Sequence, residues 1–152
     1  MNVPPIRQVQ TPEDAQAVFG FIKQFPLNYP DYESWLEKCK EELKIGSKHA
    51  FYVIGSKEPV VGSIVFQQHR LESQVLELKN LRVNPKNVRQ TIGSWLEFLA
   101  EFYAKHNGYK RIQCDAHPEN PVVSFMESRG YRIEAHETLY TAKAEVILIK
   151  DI

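Results

Sequence analysis

The feature that most constrains the fold is a long amphipathic helix pattern between two strand-like segments. Apolar residues recur at helical spacing after Pro85 until Gly108 ends the pattern. The flanking segments, residues 74–83 and 110–114, have the composition of β-strands. Strands joined through a helix pair in parallel, because the crossover returns the chain to the same end of the sheet. The sequence therefore predicts an α/β chain whose sheet is parallel at this point.

The rest of the chain predicts three more helices and five more strands. Thr11 followed by Pro12 marks a helix start, a second helix begins at Asp31, and another opens at Asn120. One strand is predicted before the first helix, and the others at residues 50–54, 60–66, 131–140 and 145–150. We therefore expect a single α/β domain over residues 1–152 (α+β by some schemes). Its mixed central sheet would have about seven strands and about four flanking helices.

The predicted strand over residues 74–83 contains a change of phase. Leu76 and Leu78 share one parity of the alternation, whereas Leu81 and Val83 share the other. One extra residue near Lys79-Asn80, a β-bulge, would turn all four side chains towards one face of the sheet. A strand that is buried on both faces would explain the same pattern, so the sequence leaves both interpretations open.

The charge balance narrows the classes of partner. Nineteen Lys and Arg balance nineteen Asp and Glu, which gives a formal net charge of zero. This balance argues against nucleic acid and anionic membranes as partners, because both select basic surfaces. The start of the chain lacks a signal-peptide pattern, and no apolar run approaches the roughly 20 residues of a membrane span. We therefore expect a cytoplasmic protein. We also expect no metal site, because the five His of the chain have no metal-ligand spacing.

The start of the long helix is a candidate anion site. Gly93 and Ser94 fall in its first turn, where backbone amides lack intrahelical partners and the helix dipole favours negative charge. An ordinary strand-to-helix turn has a similar composition, so this stretch alone does not decide between the two.

Two segments of the chain resemble the GNAT superfamily of acyl-CoA-dependent N-acetyltransferases. Residues 81–93 are similar to that family's strand and pyrophosphate loop, and residues 120–131 are similar to its second signature, an Asn before a helix that ends in Gly-aromatic. The order of the predicted elements also matches that family's fold. The resemblance implies direct transfer of an acetyl group from acetyl-CoA to a primary amine of a small molecule or a protein.

The resemblance also implies roles for individual residues. The pantetheine arm of the cofactor would pair with the strand residues Leu81, Arg82 and Val83, and Asn120 would lie beside it. The pyrophosphate would rest on the loop formed by Val88, Arg89, Gln90, Thr91, Ile92, Gly93 and Ser94. Glu77, six residues before Val83, stands where some members have a base that takes the proton of the amine.

The chain departs from the family pattern at three positions. Val88 and Thr91 replace the Gln or Arg and the Gly of the loop. Met126 stands where many members have a Tyr that protonates the CoA thiolate, and a thioether cannot donate a proton. Tyr140 is the candidate substitute for this acid. The departures leave open a catalytically impaired module that binds acyl-CoA or a protein partner.

Weaker candidates complete the set. His117 follows the strand over residues 110–114 and could act as a base, although a surface loop His is the ordinary interpretation. Cys114 is not favoured as a nucleophile, since no His has a partner spacing to it. The resemblance implies an acceptor wall between the first two helices, where Tyr29, Asp31, Tyr32 and Glu33 would suit a cationic amine. Helix capping and core packing explain most of these residues equally well. Exposed strand edges of a small mixed sheet are compatible with a homodimer.

Overall fold

The computed structural model describes residues 5–26, 31–87, 91–137 and 145–152, and these form one sheet flanked by helices. The strands lie in the order β1-β2-β3-β4-β5-β7-β6. The strands are β1 Ile6–Gln8, β2 His49–Val53, β3 Gly62–Gln68, β4 Val75–Val83, β5 Arg111–Ala116, β6 Arg132–Glu137 and β7 Glu145–Asp151. The helices are α1 Pro12–Gln24, α2 Tyr32–Ile45, α3 Ile92–His106 and α4 Pro121–Ser128, and Pro85–Asn87 form a 3-10 turn.

The mixed sheet confirms the predicted fold class and element order. β4 pairs in parallel with β5 through the α3 crossover, and the other neighbouring strands are antiparallel. The predicted start of α1 is also confirmed, since the Thr11 hydroxyl accepts a hydrogen bond from the Asp14 amide and the Asp14 carboxylate accepts one from the Thr11 amide. None of the helices that the structure describes is long and apolar enough to cross a membrane.

Two apolar clusters cover opposite faces of the sheet. Ile64 and Phe66 of β3 pack into one cluster with α3 and α4, whereas Val65 between them packs into the other with α1 and α2. Alternate residues of a strand point to opposite faces, so one strand supplies both cores. On the side of the α1–α2 cluster, residues of β4 and β5 line a cleft beside α2.

A β-bulge at Lys79 confirms the first interpretation of the leucine pattern. Phe66 of β3 pairs with Leu78 and Val65 pairs with Asn80, so Lys79 is the extra residue. Leu76 and Leu78 belong to the α3–α4 cluster, and Leu81 and Val83 pack against the same cluster. The alternative of a strand with its apolar residues buried on both faces is therefore wrong.

The parallel pairing of β4 with β5 covers only the first part of β4. Three residue pairs hold the two strands together, from Val75 with Arg111 to Glu77 with Gln113. Both strands continue beyond this point, to Val83 and Ala116, without further pairing among the described residues. Because a bulge bends its strand and increases the local twist, Lys79 explains why the separation begins here.

The bounds of β3 and β5 differ by two residues from those predicted, and the other strands differ by less among the described residues. β5 extends through Asp115 and Ala116, two residues past the predicted end at Cys114. β3 begins at Gly62 rather than at Val60, and Gly62 lies directly under α3. A side-chain Cβ at Gly62 would come within 2.8 Å of Ile92 Cγ2, so the absence of a side chain allows the close approach of this helix.

Candidate functional site

The separated strands enclose a narrow cleft of about 170 Å³. Its walls are residues 78–82 of β4 and residues 114–116 of β5, and Asn120, Val122 and Met126 at α4 close it. The β4 edge that faces the cleft pairs with no strand among the described residues, while its other edge pairs with β3. An extended ligand with amide groups could therefore hydrogen-bond along this edge as an added strand would.

The structure places the strand residues Leu81, Arg82 and Val83 on this edge. Leu81 and Val83 are half-buried and turn their side chains to the α3–α4 core. The Arg82 side chain instead reaches the end of α1, where Nε donates to the Phe25 carbonyl at 3.0 Å and Nη2 donates to the Pro26 carbonyl at 3.3 Å. A ligand in the cleft would thus meet the backbone of Arg82 rather than its guanidinium group.

The start of α3 lies beyond the end of β4. Thr91 precedes the helix with φ 59° and ψ 14°, a left-handed conformation that a β-branched residue rarely adopts. Ile92 is buried in the core, whereas Gly93 and Ser94 are half-buried. Because the Ile92 side chain is buried, a ligand could contact this residue through its backbone alone. The remaining loop residues, Val88, Arg89 and Gln90, lie outside the described residues.

The Asn120 side chain caps α4 at one end of the cleft. The Asn120 Oδ1 atom accepts a hydrogen bond from the Val122 amide at 2.9 Å and so caps α4, as the sequence predicts for the residue that opens this helix. Met126 is 1% exposed and lines the same cleft with its thioether. The candidate acid Tyr140 lies outside the described residues.

A wide cleft of about 790 Å³ lies on the opposite face of the sheet, beside α2. Its floor consists of Glu77 and Lys79 of β4, Gln113 and Asp115 of β5, and Ile147 of β7. Its walls come from α2 and from the turn after β3, and they carry Trp35, Lys38, Glu42, Lys48, His69, Arg70 and Glu72. Charged groups of both signs therefore line this cleft.

Glu77, the predicted base, is held by three neighbours on this floor. Its Oε1 atom lies 2.9 Å from Lys79 Nζ and accepts a hydrogen bond from Gln67 at 3.4 Å. Its Oε2 atom lies 3.7 Å from His69 Nε2. The side chain is 12% exposed, so these partners surround most of the carboxylate.

The sequence prediction missed Asp115, which lies on the same floor. Burial raises the pKa of its carboxyl group to about 6; Lys79 opposes the shift, and the carboxylates of Glu77 and Glu145 add to it. Lys79 and Asp115 are the two residues that line both clefts. Asp115 is therefore the acidic group at the point where the clefts meet.

The neighbouring strand adds a second buried acid. Glu145 of β7 is fully buried, its two carboxylate oxygens have no hydrogen-bond partner among the described residues, and burial raises its pKa. The candidate base His117 lies beside it, with Nε2 4.0 Å from Glu145 Oε1. Burial raises the pKa of the Cys114 thiol to about 12, which leaves it protonated and unsuited to nucleophilic attack.

The predicted acceptor wall is only partly described. Asp31 and Glu33 are exposed, Tyr32 is buried with its hydroxyl accepting a hydrogen bond from Asn80 Nδ2 at 3.1 Å, and Tyr29 lies outside the described residues. In the part of the chain that the structure describes, no group of three His, Cys, Asp or Glu side chains is arranged to hold a metal ion.

Comparisons with known proteins agree with this geometry. A family model described as "Acetyltransferase (GNAT) family" matches residues 18–131. No curated protein matches the sequence. Three solved structures share the fold at low sequence identity. One is a protein from Desulfovibrio desulfuricans described as a candidate acetyltransferase of the GNAT family, with a TM-score of 0.82 and 15% identity over 98% of this chain and 99% of that chain.

The second structure is the ribosomal-protein-S18-alanine N-acetyltransferase from Escherichia coli, with a TM-score of 0.77 and 18% identity over 99% of this chain and 94% of that one. The third is the PaiA N-acetyltransferase from Thermoplasma acidophilum in complex with coenzyme A. Its TM-score is 0.70 and its identity 20%, over 97% of this chain and 99% of that one. At these identities the structures establish a shared fold and leave the substrate of this chain open.

Proposed function

Because this chain belongs to the GNAT family of acetyltransferases, we propose that it transfers an acetyl group from acetyl-CoA to a primary amine. One observation carries the proposal: a narrow cleft between separated strands meets a wide cleft at Lys79 and Asp115. Two reactants that enter from opposite faces of the sheet would meet at this point. Holding both in one geometry removes much of the entropic cost of a bimolecular reaction.

The proposal assigns the narrow cleft to acetyl-CoA. The pantetheine arm would pair with the free edge of β4 at Leu81, Arg82 and Val83, beside Asn120. The pyrophosphate would bind the backbone amides of residues 88–94, at the start of α3, where the helix dipole favours an anion. The crystallised complex of the Thermoplasma relative with coenzyme A supports this choice of ligand.

The proposal assigns the wide cleft to the amine. A primary amine is a cation at neutral pH, and the carboxylates of Glu77 and Asp115 on the cleft floor would attract it. Glu77, the residue predicted from the sequence, is proposed to take part in carrying its proton away. The amine nitrogen then attacks the thioester carbon directly, and the CoA thiolate leaves. Met126 cannot protonate this thiolate, so Tyr140 or water is proposed to do so.

A small metabolite amine and a protein amine both fit this assignment. A cleft of about 790 Å³ has room for a small amine or for the end of a peptide chain. The cytoplasmic location and the homodimer expected from the sequence stay predictions.

Thermal unfolding with and without acetyl-CoA tests the first half of the proposal. Binding to the native state must raise the melting temperature, and a hundredfold excess over Kd adds about 2.7 kcal/mol of stability. No stabilisation at millimolar acetyl-CoA would contradict the proposal. Adenosine 3′,5′-bisphosphate, which lacks the pantetheine arm, is the matched control ligand.

Thiol release in the presence of a panel of amines tests the second half. We expect release that depends on the amine, with no release above background when quaternary ammonium analogues replace primary amines. Quaternary nitrogens cannot be acetylated, so they separate transfer from simple hydrolysis. Stabilisation by acetyl-CoA without turnover of any amine would instead indicate the catalytically impaired acyl-CoA-binding module.

A further inference from the structure

Asp115 lies where the two clefts meet, and the proposed reaction so far uses only its charge, which attracts the amine. We infer that Asp115 accepts the proton of the amine as the amine reaches the thioester. The inference rests on the proposed function and adds one catalytic residue to it. Asp115 lines both the narrow and the wide cleft, whereas Glu77 lines the wide cleft alone. An amine that reaches the thioester would therefore pass closer to Asp115 than to Glu77.

The protons and electrons of this step balance without a further reactant. One N–H bond of the ammonium breaks, its proton passes to the Asp115 carboxylate, and the electron pair stays on nitrogen. That pair forms the C–N bond while the C–S bond breaks and its electrons leave with the thiolate. A second N–H proton neutralises the thiolate through solvent, and Asp115 returns its own proton to water in the wide cleft.

The two carboxylates on the cleft floor, Glu77 and Asp115, differ in their hydrogen-bond and ion-pair partners. Glu77 is engaged by Lys79, Gln67 and His69. The Asp115 carboxylate, by contrast, forms no hydrogen bond or ion pair with the described residues. A base must have an open lone pair within reach of the proton that it abstracts, and Asp115 meets this requirement while Glu77 would first have to release a partner.

The surroundings of Asp115 also make its carboxylate a stronger base, as the acceptance of a proton from the amine requires. Burial raises its pKa to about 6, so the group is ionised at neutral pH yet binds a proton more readily than an exposed carboxylate. The charged groups that act on it are Lys79 and Glu77 of β4, Glu145 of β7 and His69 of the turn after β3. On the far wall, Lys48 is paired with Glu42 of α2 at 3.0 Å, and Lys38 of α2 stands beside them.

Asn80 provides an independent indication that a hydrogen-bond donor binds at this point. Its side chain is 3% exposed and lines the narrow cleft from the β4 wall, while Asp115 lines it from the β5 wall. The Nδ2 atom donates to Tyr32, but the Oδ1 atom has no partner among the described residues. A buried acceptor without a donor is unfavourable, and a second N–H group of the amine would satisfy it.

The test compares Asp115→Asn with Asp115→Glu in the full chain. We expect Asp115→Asn to lower kcat at least about a hundredfold, the usual contribution of a general base, with the acetyl-CoA stabilisation unchanged. The wild-type rate should decline as the pH drops below an apparent pKa of about 6. This acidic limb of the pH–rate profile should be absent in Asp115→Asn. Asp115→Glu should restore part of the rate together with a limb. Glu119→Gln, at an exposed acid in the loop after β5, is the charge-matched control and should keep the wild-type profile.

The remaining outcomes also decide for or against the inference. A wild-type rate and limb in Asp115→Asn would overturn it and leave acetyl transfer intact, and the loss of the limb in Glu77→Gln alone would assign the proton to Glu77. If Asp115→Asn does not fold, the Asp115→Glu profile decides: a limb at the wild-type position overturns the inference, and a displaced one supports it. Stabilisation by acetyl-CoA with no turnover in the wild type would overturn the proposed function and this inference together.

Discussion

The two halves of β4 have similar sequences and different surroundings. Residues 75–77 pair with β5, whereas residues 78–83 pair with β3 alone among the described strands. Leu76 of the first half is fully buried, while Leu81 and Val83 of the second half are half-buried. The difference teaches that a single extra residue, Lys79, converts a structural strand into the edge of a binding site.

The largest expected effect distinguishes the halves by their contribution to stability. Leu76→Ala should lower the free energy of unfolding by about 2–5 kcal/mol, because it leaves a cavity in a fully buried position. Urea denaturation measures this loss. Leu81→Ala is the matched variant in the separated half, and its smaller burial should make its cost clearly lower. Equal losses would contradict the division of β4 into two regions.

The second prediction concerns the acid at the boundary and its dependence on pH. The folded state holds the Asp115 pKa at about 6, above the ordinary value of 3.8 for an aspartate side chain. The folded state therefore binds more protons than the unfolded state between about pH 4 and pH 6, so stability falls as the pH rises through this window. Asp115→Asn removes that penalty and should raise the free energy of unfolding at pH 7.5, by at most about 3 kcal/mol at 1.36 kcal/mol per pKa unit.

Urea denaturation of Asp115→Asn at pH 4 and pH 7.5 checks this sign. The gain over wild type should be present at pH 7.5 and nearly absent at pH 4. Glu77→Gln should show no such gain, because it removes the partner of Lys79. A gain of the same size at both pH values would show that the ionised carboxylate is not the cause. Such a variant would be more stable and less active, as expected where a site maintains a buried charge.

Deleting Lys79 should separate binding from folding. The bulge places Lys79 beside Asn80 on one strand position, so its removal leaves Leu76, Leu78, Leu81 and Val83 on their present face. We expect the melting temperature to change little and the affinity for acetyl-CoA to fall tenfold or more, about 1.4 kcal/mol. Lys79→Ala, which keeps the bulge, is the control and should bind within a few-fold of wild type. Normal binding by the deletion variant would contradict the role of the bulge.

The smallest expected effect tests the side chain of Arg82 against its backbone. Arg82→Ala removes two hydrogen bonds to carbonyl groups at the end of α1 and should cost about 1 kcal/mol of stability. The affinity for acetyl-CoA should stay unchanged, since only the Arg82 backbone faces the cleft. Thermal unfolding with and without acetyl-CoA measures both quantities. A weakened affinity with unchanged stability would place the guanidinium group in the cofactor site instead.

The bulge was one of two interpretations that the sequence allowed, whereas the position of Asp115 in the sheet could not be predicted. The phase change between Leu78 and Leu81 is a local signal, because parity along one strand needs no knowledge of its neighbours. The predicted end of β5 at Cys114 left Asp115 in a loop, with no assigned face. Its approach to Glu77 also depends on the register that the α3 crossover sets between β4 and β5. The buried alternation of Ile112, Cys114 and Ala116, carried two residues further, would have placed it correctly.

The left-handed backbone at Thr91 was equally beyond prediction. A β-branched residue disfavours this conformation, so local preference points to an extended or helical turn. The resemblance did mark this position as a glycine in the family loop, and the observed φ of 59° explains why a glycine suits it. The helix start is thus positioned by tertiary packing of Ile92 in the core, which outweighs the local strain.

The place of β7 in the sheet has a consequence for the order in which the protein forms. β7 lies between β5 and β6, although both precede it along the chain. On a ribosome, β1 to β4 with α1 and α2 emerge first and can bury their own apolar cluster. β5 must wait with an open edge until β7 is synthesised, and an open edge is prone to pairing with other chains. We therefore expect the half of the sheet that carries Asp115 to be the last to form and the most vulnerable to aggregation in nascent chains.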